Sequence, residues 1–190
     1  MKAALFALLF AASAVAQNPP AELPPACGPE DVGFKVKLDK AQHTLAQPDA
    51  GKALVYFIQD DGPDGNHQRY TMRIGLDGAW AGAYKHNSYF KVSLVPGEHH
   101  ICANVQLDGY PDRFQWSLLS LAHFSAEPGK VYFFHTQYLA GMPGSTDYPH
   151  LVLEPVDSDE AAYLIAISPM SVFRPYKEPG IRQDAHNQTR

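Results

Sequence analysis

Apolar and polar residues alternate along much of this chain, in short runs separated by glycine and proline. Phe34, Val36 and Leu38 alternate with Lys35 and Lys37. This period of two is typical of a β-strand with one buried face and one solvated face. The sequence therefore predicts that the folded part of the chain begins near Phe34 with a strand.

A second kind of strand is predicted over 53–58, where every residue is apolar and most are good β-formers. Such a run is typical of a central strand that is covered on both faces. Further strands are predicted over 70–76, from Trp80 onward, and over 89–95, 98–105, 117–126, 130–138 and 151–153.

Turn-forming residues separate these runs. Asp77-Gly78 is a dipeptide that tolerates the positive φ of a tight hairpin turn. Pro96-Gly97 predicts a β-turn, and Glu127-Pro128-Gly129 is predicted to join two strands as a hairpin. The segment over 60–66 is predicted to be a loop, because it is a dense cluster of the turn formers Asp, Gly, Pro and Asn. Its acidic residues lack the regular spacing and the closing Glu of a calcium loop.

A helical pattern appears only near the C-terminal end. Asp157 can cap a helix that has Glu160 three residues later and that stops at Ser168-Pro169. Repeated short strands with one short helix predict an all-β, antiparallel β-sandwich, with an open barrel as the alternative, built from about seven to nine strands.

The first residues predict export. Met1 and Lys2 precede an apolar run over 3–12, and Ala14-Val15-Ala16 fits a signal-peptidase site before Gln17. The run is shorter than the roughly 20 residues needed to span a bilayer. The predicted organisation is a signal peptide over 1–16, a Pro/Ala-rich leader over 17–33, one domain over 34–175 and a disordered polar tail over 176–190, with no membrane span in the mature chain.

Cys27 and Cys102 are the two cysteines of the chain. Because an exported protein folds where thiols can oxidise, we predict a disulfide between them, with two buried free thiols as the alternative. The bond would contribute roughly 4 kcal/mol on a chain-entropy basis. Cys27 follows Pro24-Pro25-Ala26, which lacks the small apolar context of a lipoprotein cysteine, so we predict no lipid anchor.

Charge excludes some partners. The chain has 190 residues and a net charge of -5, with no run of Lys or Arg. Without such a run the sequence indicates no positively charged patch that could bind phosphates, and we predict no nucleic-acid partner. The cations are also not gathered on an apolar-faced helix that would attract a membrane surface.

Several segments resemble a known family. They are GKALVYF over 51–57, GLDGAWAG over 75–82, NSYF over 87–90, PGEHH over 96–100 and PGKVYFF over 128–134. Together they look like the exported bacterial domains of unknown function grouped as DUF 2846, over about 51–153. The resemblance implies an Ig-like or related envelope β-sandwich and carries over no catalytic residue.

Catalytic and metal-binding patterns are not persuasive. His99 and His100 are adjacent, so on a strand they point to opposite faces. His123 and His135 would lie close only if their two strands pair as a hairpin in a suitable register. The sequence therefore predicts no metal site and no cofactor, with His100, His123 and His135 as the candidates from which a site could be built. Ser145 lies in a Gly/Pro loop without a nucleophile elbow, so the chain is predicted not to be an enzyme.

Aromatic residues beside predicted turns are the better functional signal. A partly exposed ring can stack on a sugar or contact a protein partner. The candidate ligand-binding residues are Trp80, Tyr84, Tyr110, Phe114 and Trp116. We predict a non-catalytic binding module whose partner is a glycan or an envelope protein. The alternatives are a metal-dependent hydrolase using strand histidines and a structural envelope domain that pairs with another protein.

Overall fold

The computed structural model describes residues 23–41, 45–60, 70–85, 87–106, 118–139 and 149–177. These residues form ten strands and one helix. The strands are β1 (Val32–Asp39), β2 (Ala53–Gln59), β3 (Thr71–Leu76), β4 (Ala79–Lys85), β5 (Ser88–Leu94), β6 (Gly97–Gln106), β7 (Leu119–Ala126), β8 (Val131–Leu139), β9 (His150–Pro155) and β10 (Met170–Lys177), and the helix is α1 (Ser158–Ile167).

The strands form two sheets that pack face to face. One sheet has six strands in the order β1-β10-β5-β2-β8-β9, and the other has four in the order β4-β3-β6-β7. The prediction of an all-β sandwich with one short helix is confirmed. Two details differ from it: the described residues contain ten strands rather than seven to nine, and two pairings, β2 with β8 and β5 with β10, are parallel.

Strand β2 lies at the centre of the larger sheet, as its continuous apolar run predicts. All seven of its residues are buried. Val55 and Phe57 face the core between the sheets, where the Phe57 ring stacks on Phe90 at a centroid distance of 5.3 Å. Tyr56 and Ile58 face the other way and contact α1. The two buried faces explain why β2 shows no alternation of polar and apolar residues.

Helix α1 covers the outer face of the six-stranded sheet. The Asp157 carboxylate accepts hydrogen bonds from the backbone N–H groups of Asp159 and Glu160, at 2.9 and 3.0 Å. This confirms the predicted cap. Ala161 and Leu164 pack against β2 and give the sheet its second apolar layer.

The hairpin predicted at Asp77-Gly78 is confirmed and joins β3 to β4. Asp77 has φ 52° and Gly78 has φ 90°. Positive φ at both central residues is the requirement of the type I′ turn, whose twist matches that of the flanking strands.

Two other predicted turns do not form hairpins. Strand β5 belongs to the six-stranded sheet, while β6, after Pro96-Gly97, belongs to the four-stranded sheet. The chain crosses in the opposite direction at Glu127-Pro128-Gly129, between β7 and β8. The prediction that β7 and β8 pair as a hairpin is therefore wrong: the two strands lie in facing sheets, where Phe124 of β7 packs against Phe134 of β8 across the core at 5.2 Å.

Strand β10 was not predicted. It pairs along its length with β1 and contains Pro175, which lies opposite Phe34. The N–H and carbonyl of Phe34 bond instead to the Gln106 side chain, at 2.8 and 3.3 Å. Phe34 and Pro175 are thus a pair without backbone hydrogen bonds between them. Because no hydrogen bond is made at this position, the missing N–H of proline removes none from the pairing of β1 with β10.

Strand β1 and residues 23–31 cover the part of the outer face of the four-stranded sheet that contains Arg73, Cys102 and Gln106. Arg73 and Gln106 point to this face and are buried. Arg73 Nη1 donates to the Val32 carbonyl at 2.9 Å, and Gln106 bonds to Phe34. Within the described ranges, no helix has the length and apolar character needed to cross a membrane.

Candidate functional site

Three strands terminate at one end of the sandwich, which we call the loop end. These strands are β2 at Gln59, β6 at Gln106 and β8 at Leu139. β2 and β8 run parallel, and Gln106 pairs with Thr71 at the start of β3. Gln59 Nε2 donates a hydrogen bond of 2.8 Å to the hydroxyl of Tyr70, which links the two sheets at this end.

The chain segments that follow these strands are 61–69, 107–117 and 140–148, and they lie outside the described residues. Tyr110, Phe114 and Trp116 belong to the middle segment. Their ligand-binding roles therefore stay predictions. The described residues establish only that this segment leaves β6 at Gln106 and returns at Leu118, whose carbonyl accepts from the Val105 N–H at 3.3 Å.

Trp80 lies far from the loop end, beside the Asp77-Gly78 turn, and is half-buried. Its Nε1 donates to the Pro29 carbonyl at 2.7 Å, and the Arg73 guanidinium lies over its ring at 4.5 Å. A side-chain carbon on Gly28 would collide with the ring. These contacts indicate that Trp80 holds residues 23–31 against the sheet, a role that sequence reasoning did not assign to it.

Tyr84 is a core residue, and the prediction of a partly exposed ring there is corrected. Its side chain has no exposed surface, and its ring packs against Phe90 at 5.3 Å. Its hydroxyl bonds to Thr136 Oγ1 of the facing sheet at 2.6 Å. Burial raises the pKa of this hydroxyl above its ordinary value. Tyr84 lies between the sheets because the β3–β4 register shifts after Trp80, so that Gly82 and Tyr84 face inward while Trp80 faces outward.

Cys27 and Cys102 are joined in a disulfide, in agreement with the prediction, with Cα atoms 5.1 Å apart. Both residues are buried. The bond fastens the segment before β1 to the middle of the four-stranded sheet, where Gly75 lies beneath Ala26 and Cys27. Since the Cys27 sulfur is bonded to Cys102, it cannot also form a thioether to a lipid.

Asp77 and His99 form a polar cluster that sequence reasoning missed. Asp77 Oδ2 lies 2.6 Å from His99 Nδ1, and Asp77 Oδ1 accepts the His100 backbone N–H at 2.8 Å. His99 Nε2 donates to the Val95 carbonyl at 2.8 Å. The sequence offered one signal for this cluster: His99 is a polar residue on the inward face of β6, and the next residue on that face is the apolar Ile101.

The pKa values of this pair move apart. Burial lowers the pKa of His99, but the bonds to Asp77 and to the Val95 carbonyl outweigh burial, so the pKa lies above 6.5. Burial raises the pKa of Asp77, but the His100 N–H and the His99 side chain outweigh it, so the pKa lies below 3.8. Both shifts favour the charged pair, in which the two imidazole nitrogens act as donors.

His100 and His123 are brought together, whereas His135 is not. His100 lies directly opposite His123 in the pairing of β6 with β7, and both side chains are exposed. His135 lies in β8 of the other sheet. The predicted possibility that His123 and His135 meet across a hairpin is therefore excluded by the topology.

His135 faces the outer side of the six-stranded sheet and is buried. Burial lowers the pKa of its imidazole, and nearby carboxylates such as Glu154 and Glu160 offset this only in part. The side chain is therefore neutral near pH 7. In the part of the chain that the structure describes, no group of three or more His, Cys, Asp or Glu residues is arranged to hold a metal ion.

No protein family model, curated protein or solved structure matches the chain. These comparisons do not bear on the resemblance to DUF 2846, which stays a prediction.

Proposed function

We propose that the chain is an exported, non-catalytic β-sandwich that binds a glycan through aromatic side chains at the loop end. The observation that carries this proposal is that β2, β6 and β8 all terminate there. The segment that leaves β6 contains Tyr110, Phe114 and Trp116. Loops attached to one end of a rigid sandwich are a common place for binding residues.

The strand ends that anchor these segments are firmly linked. Close to the loop end, Gln59 bonds to Tyr70 and Tyr84 bonds to Thr136, and each bond joins one sheet to the other. Such fixed attachment points lower the entropy cost of presenting a binding surface. Flat aromatic rings suit a sugar because they cover the apolar face of the ring and lose little conformational freedom.

Export is supported by two independent features. The N-terminal residues have a positive start, an apolar run and a small-residue cleavage motif. The disulfide between Cys27 and Cys102 is of the kind that persists in oxidising compartments. The resemblance to DUF 2846 would add a bacterial envelope location and no catalytic residues.

The test is a titration of the oxidised mature chain with a panel of soluble oligosaccharides, followed by tryptophan fluorescence. For the sugar that binds, we expect Trp116→Ala and Tyr110→Ala each to raise Kd roughly tenfold or more, because central aromatic contacts dominate such sites. Calorimetry replaces fluorescence for the Trp116 variant. The matched control is Tyr163→Ala, an exposed tyrosine on α1 that is 64% accessible.

Unchanged affinity in both the Trp116→Ala and Tyr110→Ala variants, or a panel in which no sugar binds, would contradict the proposal.

A second candidate function is pairing with another envelope protein through an exposed edge strand. It is favoured by β7, the last strand of its sheet, on which Leu121 is 52% exposed. In that case Leu121→Lys would abolish complex formation and the loop variants would not.

A further inference from the structure

Two exposed histidines lie side by side on the outer face of the four-stranded sheet. His100 of β6 is directly opposite His123 of β7. The centroids of their rings are 6.1 Å apart, and the ring planes are inclined by 30°. This pair lies near the Asp77-Gly78 turn, away from the loop end, so it is independent of the proposed glycan surface.

The backbone contacts define which kind of cross-strand pair this is. The His100 N–H donates to Asp77 Oδ1 at 2.8 Å, and the His100 carbonyl accepts from the Asp77 N–H at 3.0 Å. Both groups of His100 therefore point away from β7. The pair with His123 is of the type without hydrogen bonds between the two residues, in which opposing Cα atoms are about 4.5 Å apart and the side chains approach most closely.

The position of His100 is held firmly. Asp77, which holds its backbone, is itself bonded to His99 through the second carboxylate oxygen at 2.6 Å. Strand β6 is paired on both sides, with β3 and with β7. Little backbone freedom is thus lost when the two imidazoles bind a common ligand.

One metal ion can reach both rings. At a metal–nitrogen distance of about 2.1 Å an ion sits about 3.2 Å from the centroid of each bound imidazole, so the centroids can be up to about 6.4 Å apart. The observed separation of 6.1 Å falls inside this limit. Rotation of the two exposed rings about their side-chain bonds would bring their nitrogens to a common ion at the shorter separations of bent coordination.

We propose that His100 and His123 form a two-imidazole binding site for a divalent transition-metal ion, with Cu(II) bound most tightly. Neutral imidazole suits copper, nickel and zinc, and among divalent first-row ions nitrogen sites favour Cu(II). The remaining coordination positions go to water or to a ligand from outside, because no third metal-binding side chain within the described ranges completes the site.

The experiment is a calorimetric titration of the untagged, oxidised mature chain with Cu(II), together with electron paramagnetic resonance of the complex. The variants are His100→Asn, His123→Asn and the double variant. The matched control is His150→Asn, an exposed histidine at the start of β9 in the other sheet. Circular dichroism confirms that each variant keeps the fold.

We expect each single variant to weaken Cu(II) binding roughly tenfold or more, because the second imidazole binds intramolecularly. The double variant should bind little more weakly than the singles. The resonance spectrum should show nitrogen coupling from two imidazoles in the wild type and the loss of one in each single variant. Absence of Cu(II) binding, or equal weakening by His150→Asn, would overturn the proposal.

Discussion

Removal of the disulfide tests how the segment before β1 is held. The change is the double replacement Cys27→Ala/Cys102→Ala, which leaves no free thiol. The two cysteines are 75 residues apart in sequence. For a loop of that length the chain-entropy relation assigns the bond about 4 kcal/mol of stability, and measured effects usually lie at about 2 to 4 kcal/mol.

The folded state has other contacts that keep the same segment in place. Trp80 donates to the Pro29 carbonyl, and the Gly78 N–H donates to the Ala26 carbonyl at 3.2 Å. Since the free energy of unfolding of a domain is about 5 to 15 kcal/mol, we expect the variant to fold at 25 °C but with a smaller free energy of unfolding.

The assay is urea unfolding followed by tryptophan fluorescence. We expect a lower midpoint for the variant and a larger m-value, because the unfolded chain without the cross-link exposes more surface. Reductant should move the wild-type curve to that of the variant and leave the variant unchanged. A difference below about 1 kcal/mol, or no response of the wild type to reductant, would refute the conclusion that the bond fastens this segment.

Two further predictions concern the charged pair and the N-terminus. The free energy of unfolding should be higher for the wild type than for His99→Gln by up to about 1 kcal/mol. The difference is no larger because Asp77 is 44% exposed and solvent screens the ion pair. This difference in stability should be fully present between pH 3.8 and 6.5, the pKa values of the two groups in the unfolded chain. It should decrease at lower pH as Asp77 is protonated, and at higher pH as His99 loses its proton. A flat difference from pH 3 to 9 would contradict it. For export, mass spectrometry of the chain recovered from its source cell should show a mature form that begins at Gln17; recovery of only the uncleaved chain would exclude the signal peptide.

Local sequence pattern was sufficient for features that local physics determines. The covered strand β2, the capped helix α1 and the type I′ turn at Asp77-Gly78 each depend on a few neighbouring residues. The pairing of Cys27 with Cys102 followed because the chain has two cysteines. In these places propensity, burial pattern and turn chemistry agree.

Features set by contacts distant in sequence could not be predicted in the same way. Pro96-Gly97 and Pro128-Gly129 have the composition of hairpin turns but carry the chain from one sheet to the other. Strand β10 was hidden by Pro175, which is harmless only because Phe34 bonds to Gln106. A turn signal shows that the chain reverses, and it does not show which strand will be the next neighbour.

The same limit explains the outcome for the aromatic residues. Tyr84 and Trp80 both lie close to a predicted turn, yet Tyr84 spans the core to Thr136 and Trp80 covers residues 23–31. Proximity to a turn therefore does not separate a ligand-contacting ring from a packing ring. A stronger criterion is whether the framework needs the ring. At the loop end the described residues already supply inter-sheet bonds, from Gln59 to Tyr70 and from Tyr84 to Thr136. Tyr84 is therefore a ring that the framework uses, and the proposed glycan surface rests instead on the aromatic residues of the segment that leaves β6.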